Sequence, residues 1–168
     1  NEWLGDDGKP VVTEKTVISI YANRLMTYDI TFIAGAEPVT FEDTKEGLFG
    51  FRMVNSMREN EGGHVVNAEG LKDTANCWGK RSAWIDYYGE VDGKTFGVTL
   101  FDHPKNFRPS RYHVRNYGLF SVNPFGEKAY TRGASEAARV EVKPKSHLHH
   151  YSGRYIHTGE PKSAGVAV

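Results

Sequence analysis

The hydrophobic pattern of this chain repeats with a period of two. Between residues 25 and 33, Met26, Tyr28, Ile30 and Phe32 alternate with Thr27, Asp29 and Thr31. Successive side chains of a strand point to opposite faces, so the pattern predicts a strand with one buried and one wetted face. Residues 16–21 (Thr-Val-Ile-Ser-Ile-Tyr) are β-branched and aromatic and predict another. Shorter strands are predicted at 38–42 and 47–54, the second interrupted by Gly47 and Gly50. The clearest hairpin runs from Tyr87 to Val98 across Asp92-Gly93, a pair that accepts the positive φ of a tight turn. Phe96, Val98 and Leu100 share one face of its returning strand. A last hairpin is predicted to join 138–143 to 147–157 across Lys143-Pro144-Lys145-Ser146. Only 134–138 (Ala-Ser-Glu-Ala-Ala) hints at helix, while 62–63, 70–76, 103–111 and 159–165 read as loops. About nine short strands with frequent turns predict an all-β fold, an antiparallel β-sandwich. It would form a single domain over 1–168, complete or part of a larger sandwich.

Composition narrows the function. Lys plus Arg equals Asp plus Glu at 21 each, so no global field favours a nucleic acid or an anionic membrane. No apolar run reaches the roughly 18–20 residues of a membrane-spanning helix. The N-terminus has neither the basic nor the apolar region of a signal peptide and no initiator Met, which predicts a processed or truncated form. The single cysteine, Cys77, excludes an intrachain disulfide and is expected in or near the core. The compartment stays open, with secreted and periplasmic settings both compatible.

The chemistry concentrates in 78–126. His103 follows a predicted strand and precedes Pro104, which fixes the local backbone and presents the imidazole from a strand end. In Tyr112-His113-Val114-Arg115, His113 and Arg115 share a face, as do Trp84, Asp86 and Tyr88. Between 102 and 115, Lys105, Arg108, Arg111 and Arg115 stand against Asp102, a patch suited to an anionic ligand. Trp78, Trp84, Tyr87, Tyr112 and Tyr117 offer flat surfaces for a sugar ring. His103 and His113 are the candidate acid–base groups, Asp86 their orienting partner, and Glu46, in Thr44-Lys45-Glu46-Gly47, a candidate general base. Lys80, Arg81, Trp84, Asn106, Arg108, Arg115 and Tyr117 are the candidate ligand-binding residues. The histidines 103 and 113 lack tight metal-ligand spacing, and of 147, 149 and 150 only the first two share a strand face, so no metal site is assigned. The residues leave the cofactor open.

The order Trp78-Gly79-Lys80-Arg81, Trp84-x-Asp86-Tyr87, Asp102-His103-Pro104-x-Asn106-x-Arg108, His113-Val114-Arg115-x-Tyr117-Gly118-Leu119-Phe120 and Asn123-Pro124-Phe125-Gly126 resembles a bacterial family labelled methane oxygenase PmoA. Asp43-Thr44-Lys45-Glu46-Gly47 and Tyr155-Ile156-His157-Thr158-Gly159 extend the likeness over about residues 14–160. The resemblance implies a soluble β-sandwich protein, often encoded beside carbohydrate-related proteins. Members of that family are usually longer, so the chain resembles their C-terminal part, with one face left for a missing half or a partner chain. Residues and resemblance together point to a protein that acts on or binds an oxidised or acidic sugar, as a hydrolase, lyase or epimerase. A non-catalytic carbohydrate-binding or assembly module is the alternative, and a metal-dependent oxygenase follows from the label alone.

Overall fold

A computed structural model describes residues 1–166. Its strands are antiparallel and stack in two layers. The larger layer is a seven-stranded sheet of β1 (Glu2–Leu4), β2 (Pro10–Ile20), β3 (Leu25–Ala34), β12 (His147–Thr158), β8 (Lys94–Asp102), β7 (Trp84–Val91) and β6 (His64–Asn67), in that order. The second layer contains a three-stranded sheet, β5 (Phe49–Arg52), β10 (Leu119–Asn123) and β9 (Arg111–Val114), beside a pair formed by β11 (Val140–Val142) and β4 (Val39–Phe41). Two single-turn helices, α1 (Thr74–Cys77) and α2 (Glu127–Tyr130), lie in the connections. None of the described helices is long and apolar enough to cross a membrane.

The period of two is realised where it was clearest. In β3, Ile30, Phe32 and Ala34 are buried, and Phe32 meets Phe41 of the small pair edge-on at 5.3–5.4 Å from its aromatic neighbours Trp3 and Phe41. The Asp92-Gly93 turn closes β7 on β8 with φ of +50° and +74°, the positive pair that matches the twist of the flanking strands. Register then fixes which side chains face inward. Ile85 opposes Leu100, Tyr87 opposes Val98, and Phe120 opposes Val114, and all of these side chains pack between the layers. Each fully buried aliphatic or aromatic side chain stabilises the fold by roughly 1.5–3 kcal/mol.

Several expectations change. Tyr87 and Tyr112, expected as ligand platforms, are 0% and 1% exposed, because register turns both rings into the core. The closing hairpin is not formed. Residues 143–146 do turn, with Ser146 N donating to Lys143 O at 3.0 Å, but β11 pairs with β4 while β12 lies between β3 and β8. A strand with partners on both sides has no free backbone groups for a third, so β11 goes to the other layer. Residues 134–138 carry no helix, and the helical turn at 74–77 falls in a segment that reads as loop. Cys77 is buried as expected; desolvation pushes its thiol up to about 12, which leaves it inert at neutral pH.

Candidate functional site

The candidate residues divide between opposite sides of the sandwich. Trp84 and Asp86 point outward from the large sheet, since their neighbours Ile85 and Tyr87 point inward. His113 and Arg115 point outward from the three-stranded sheet, since Tyr112 and Val114 point inward. The core separates the two sets, so no single cavity collects them.

On the large sheet, Asp86 does orient a histidine, but the partner is His157. Its Oδ2 accepts from Thr99 Oγ1 at 2.5 Å and lies 2.8 Å from His157 Nε2. His157 Nδ1 lies 3.1 Å from Gly159 O, so both ring nitrogens face acceptors. The contact is enclosed, with both side chains at most 1% exposed. Gly97 is required opposite, because a β-carbon there would collide with the His157 imidazole. Asp86 Oδ1 is buried without a partner. The pair closes the C-terminal turn onto the sheet, and its chemistry is enclosed.

At the strand ends the cations are already engaged. Glu127 takes Arg111 in a two-point grip at 3.0 and 2.7 Å and Arg81 at 2.7 Å. These cations, Arg111 foremost, hold the Glu127 carboxyl below its usual range. Arg108 donates to Ala138 O at 2.6 Å. Asn106 staples the 103–110 loop, donating to Asp102 Oδ1 and Tyr151 O while accepting from Tyr151 N. The expected basic patch is thus dispersed: Arg108 and Arg111 serve the fold, while among the described residues the Lys105 and Arg115 side chains make no ion pair. His103 is exposed at the end of β8, where its Nδ1 accepts from Lys105 N at 3.2 Å. Lys80 is exposed, and its carbonyl accepts from Tyr112 N, which lays residues 79–81 along the edge of β9.

That edge places Trp78 beside His113, their rings 6.2 Å apart and edge-on, with Tyr130 of α2 completing a triangle at 5.1 and 6.1 Å. Across the three-stranded sheet, Gly50 opposes Ser121 and Ser121 opposes His113. The small residues leave room for the 44–47 loop to lie on the sheet. Its carbonyls are then tied down by side chains: Thr44 O by Asn123 Nδ2 at 2.8 Å, Lys45 O by Tyr130 OH at 2.8 Å, and Gly47 O by Ser121 Oγ at 3.2 Å. Lys45 O also takes the His113 Nδ1–H at 2.9 Å. This bond fixes the neutral tautomer with the lone pair on Nε2. Burial pushes the His113 pKa down, against the pull of Lys45 O and the Glu46 carboxylate 3.9 Å away. His113 Nε2 and the Trp78 indole Nε1 are both buried with no hydrogen-bond partner.

Glu46 contacts Lys45 Nζ, and that cation, followed by His113 and Arg115, holds its carboxyl below the usual range. At 64% side-chain exposure it lacks the dry surroundings that raise a general base's pKa. Its place is that of a charge beside His113.

A cleft of about 500 Å³ opens next to this triangle, between Trp78 with the α1 turn, the β9–β10 hairpin tip and the turn after α2. Arg115 and Tyr117 come from the tip, which the buried Tyr87 hydroxyl anchors from beneath through the carbonyls of Arg115 and Asn116 at 3.3 Å. Tyr117 is covered by Arg52 at 5.2 Å. Arg132, which sequence reasoning missed, completes the wall. No carboxylate lines the cleft, and among the described residues neither the Arg115 nor the Arg132 side chain makes an ion pair or hydrogen bond. The signal for Arg132 was weak, a lone cation in the turn-rich stretch Thr131-Arg132-Gly133. Of the expected site residues, Arg115 and Tyr117 line this cleft and His113 sits beside its Trp78 wall with Glu46 3.9 Å away, while Trp84 and His103 line a groove on the opposite face. Among the described residues no group of three or more His, Cys, Asp or Glu is placed to hold a metal ion.

Compared with known proteins, the chain belongs to a family of unknown function, DUF6807, matched over residues 1–168. No curated protein matches it.

Proposed function

We propose that this chain binds an acidic sugar, through the sugar's carboxylate, in the cleft formed by Trp78, Arg115, Tyr117 and Arg132. The observation that carries this reading is the pair of uncommitted guanidiniums in a cleft without an opposing carboxylate. Elsewhere on this end of the molecule Arg81 and Arg111 are paired with Glu127, and Arg108 is satisfied by a carbonyl. Two free forks beside two flat aromatic rings match a ligand with a planar anion at one end and C–H faces at the other. His113 is the group there with a free lone pair, and it would serve as proton acceptor if the bound sugar undergoes chemistry. Its burial at 3% exposure, with Nε2 itself buried, favours recognition over turnover.

Calorimetric titration with uronic-acid disaccharides and their neutral counterparts tests the reading. Binding of a uronate, no binding of its neutral counterpart, and about a tenfold loss on Arg115→Ala or Arg132→Ala are expected, each tenfold step being about 1.4 kcal/mol. Equal binding of both sugars, or uronate affinity untouched by both substitutions, would remove the proposal. Product analysis of the same mixtures decides between recognition and conversion.

A further inference from the structure

The outer face of the large sheet carries a groove whose origin is a single missing side chain. One cross-strand row runs Trp84, Phe101, Gly153, Thr27, Ser19, and every member points outward. Gly153 sits at its centre with the Phe101 ring 3.2 Å from where a β-carbon would be. The row therefore has a floor of bare backbone between raised walls. The groove occupies about 740 Å³; Trp84, Phe101, Tyr151, Leu25 and Val17 line it, with Asp102 and His103 at the Trp84 end. Asp29 is among its lining residues, its side chain half-exposed and its Oδ1 without a hydrogen-bond partner. The nearest cation-forming group, His149 Nδ1, is 3.7 Å from that oxygen and is engaged by Thr31 Oγ1 at 3.0 Å.

We infer that this groove is a second binding site, for a small molecule with an apolar ring system and one hydrogen-bond-donating group, an amine or hydroxyl, set against Asp29. Its volume falls in the range of about 300–1,000 Å³ of small-molecule pockets, which are mostly apolar with a few placed polar groups. A sugar is a poor fit, since most of its hydroxyls would lose water here and find no partner. The unpartnered acceptor selects for a donor and against an anion, the opposite preference to the cleft of Arg115 and Arg132. The two sites lie on opposite faces, so failure of one leaves the other standing.

The test is displacement of the fluorescent probe N-phenyl-1-naphthylamine at pH 8, with 2-(aminomethyl)naphthalene and 2-naphthoate as competitors. Saturable probe binding is expected, with the amine competing at least tenfold better than the acid. Asp29→Asn should abolish that preference and keep the probe. Thr27→Trp, which fills the groove from an outward-facing position, should weaken the probe at least tenfold with the melting temperature unchanged. Absence of saturable binding, full binding by Thr27→Trp, or equal competition by amine and acid would each overturn the inference. So would concentration-dependent self-association that Thr27→Trp abolishes without any probe binding, since the groove would then hold a second copy of the chain.

Discussion

Two histidine–carboxylate contacts lie on opposite faces of this sandwich, and they are built for opposite ends. His157 and Asp86 are sealed, with both imidazole nitrogens facing acceptors 2.8 and 3.1 Å away. His113 and Glu46 are 3.9 Å apart; one His113 nitrogen is engaged by a backbone carbonyl and the other has no partner. The first arrangement spends the ring's hydrogen-bonding capacity on the fold. The second leaves capacity beside a cleft with two free cations. Uncommitted polar groups, more than residue type, mark where a ligand is expected.

The sealed pair should give the largest effect. Asp86→Ala leaves the buried His157 nitrogen and the Thr99 hydroxyl without their shared acceptor, and each buried polar group left unsatisfied costs about 1–3 kcal/mol. For a chain of this size each kcal/mol is about 2–4 °C in melting temperature, so thermal denaturation should drop by roughly 10 °C, while uronate affinity of the folded fraction stays within twofold. A variant that melts like the parent would show that the pair is not a structural anchor.

A third histidine sharpens the contrast by being neutral and internal. His150, on the inward face of β12 with Ser152 Oγ 2.9 Å from Nε2, has its pKa pushed down by burial to about 4. Protonation then favours the unfolded chain, whose histidine titrates near 6.5. The stability it contributes is complete above about pH 6.5 and is lost as pH falls toward about 4, a loss of roughly 3 kcal/mol at 1.36 kcal/mol per pKa unit. Urea denaturation at pH 7 and pH 4 should show this loss, and His150→Leu should reduce it by that amount.

Smaller effects on stability are expected at the cleft. Arg115→Ala and Arg132→Ala remove exposed, unpaired cations, so stability should stay within about 0.5 kcal/mol while uronate affinity falls. The smallest effect concerns His113. Because burial lowers its pKa below the ordinary histidine value, the ring is neutral above pH 7, and uronate affinity should be flat between pH 7 and 8. A slope there that disappears in His113→Gln would mean that His113 changes charge when ligand binds.

The sequence pattern made the layers legible because alternation and a positive-φ turn are local properties. Met26 to Phe32 and the Asp92-Gly93 turn could be read from a few neighbouring residues, and they hold. Long-range pairing could not. That β11 joins β4, or that Asp86 meets His157 across 71 positions, depends on which edges remain free after the sheets assemble. The same limit governs the site. Arg81, Arg108, Arg111 and Arg115 look alike along the chain, and only Glu127 and the Ala138 carbonyl decide which of them are spent. His157 belonged to the block Tyr155-Ile156-His157-Thr158-Gly159, which carried the family resemblance without revealing its partner.

The proposed anion-binding site lies at Trp78, on the three-stranded face. The indole N–H of Trp78 has no acceptor and its ring forms one wall of the cleft, so its resonance in a nitrogen–proton correlation spectrum reports on occupancy directly. Titration with a uronic-acid disaccharide should shift the Trp78 indole peak saturably and leave Trp84 unmoved, with no shift from the neutral counterpart. A Trp78 peak that stays fixed across the uronate panel, or a shift confined to Trp84, would contradict the account.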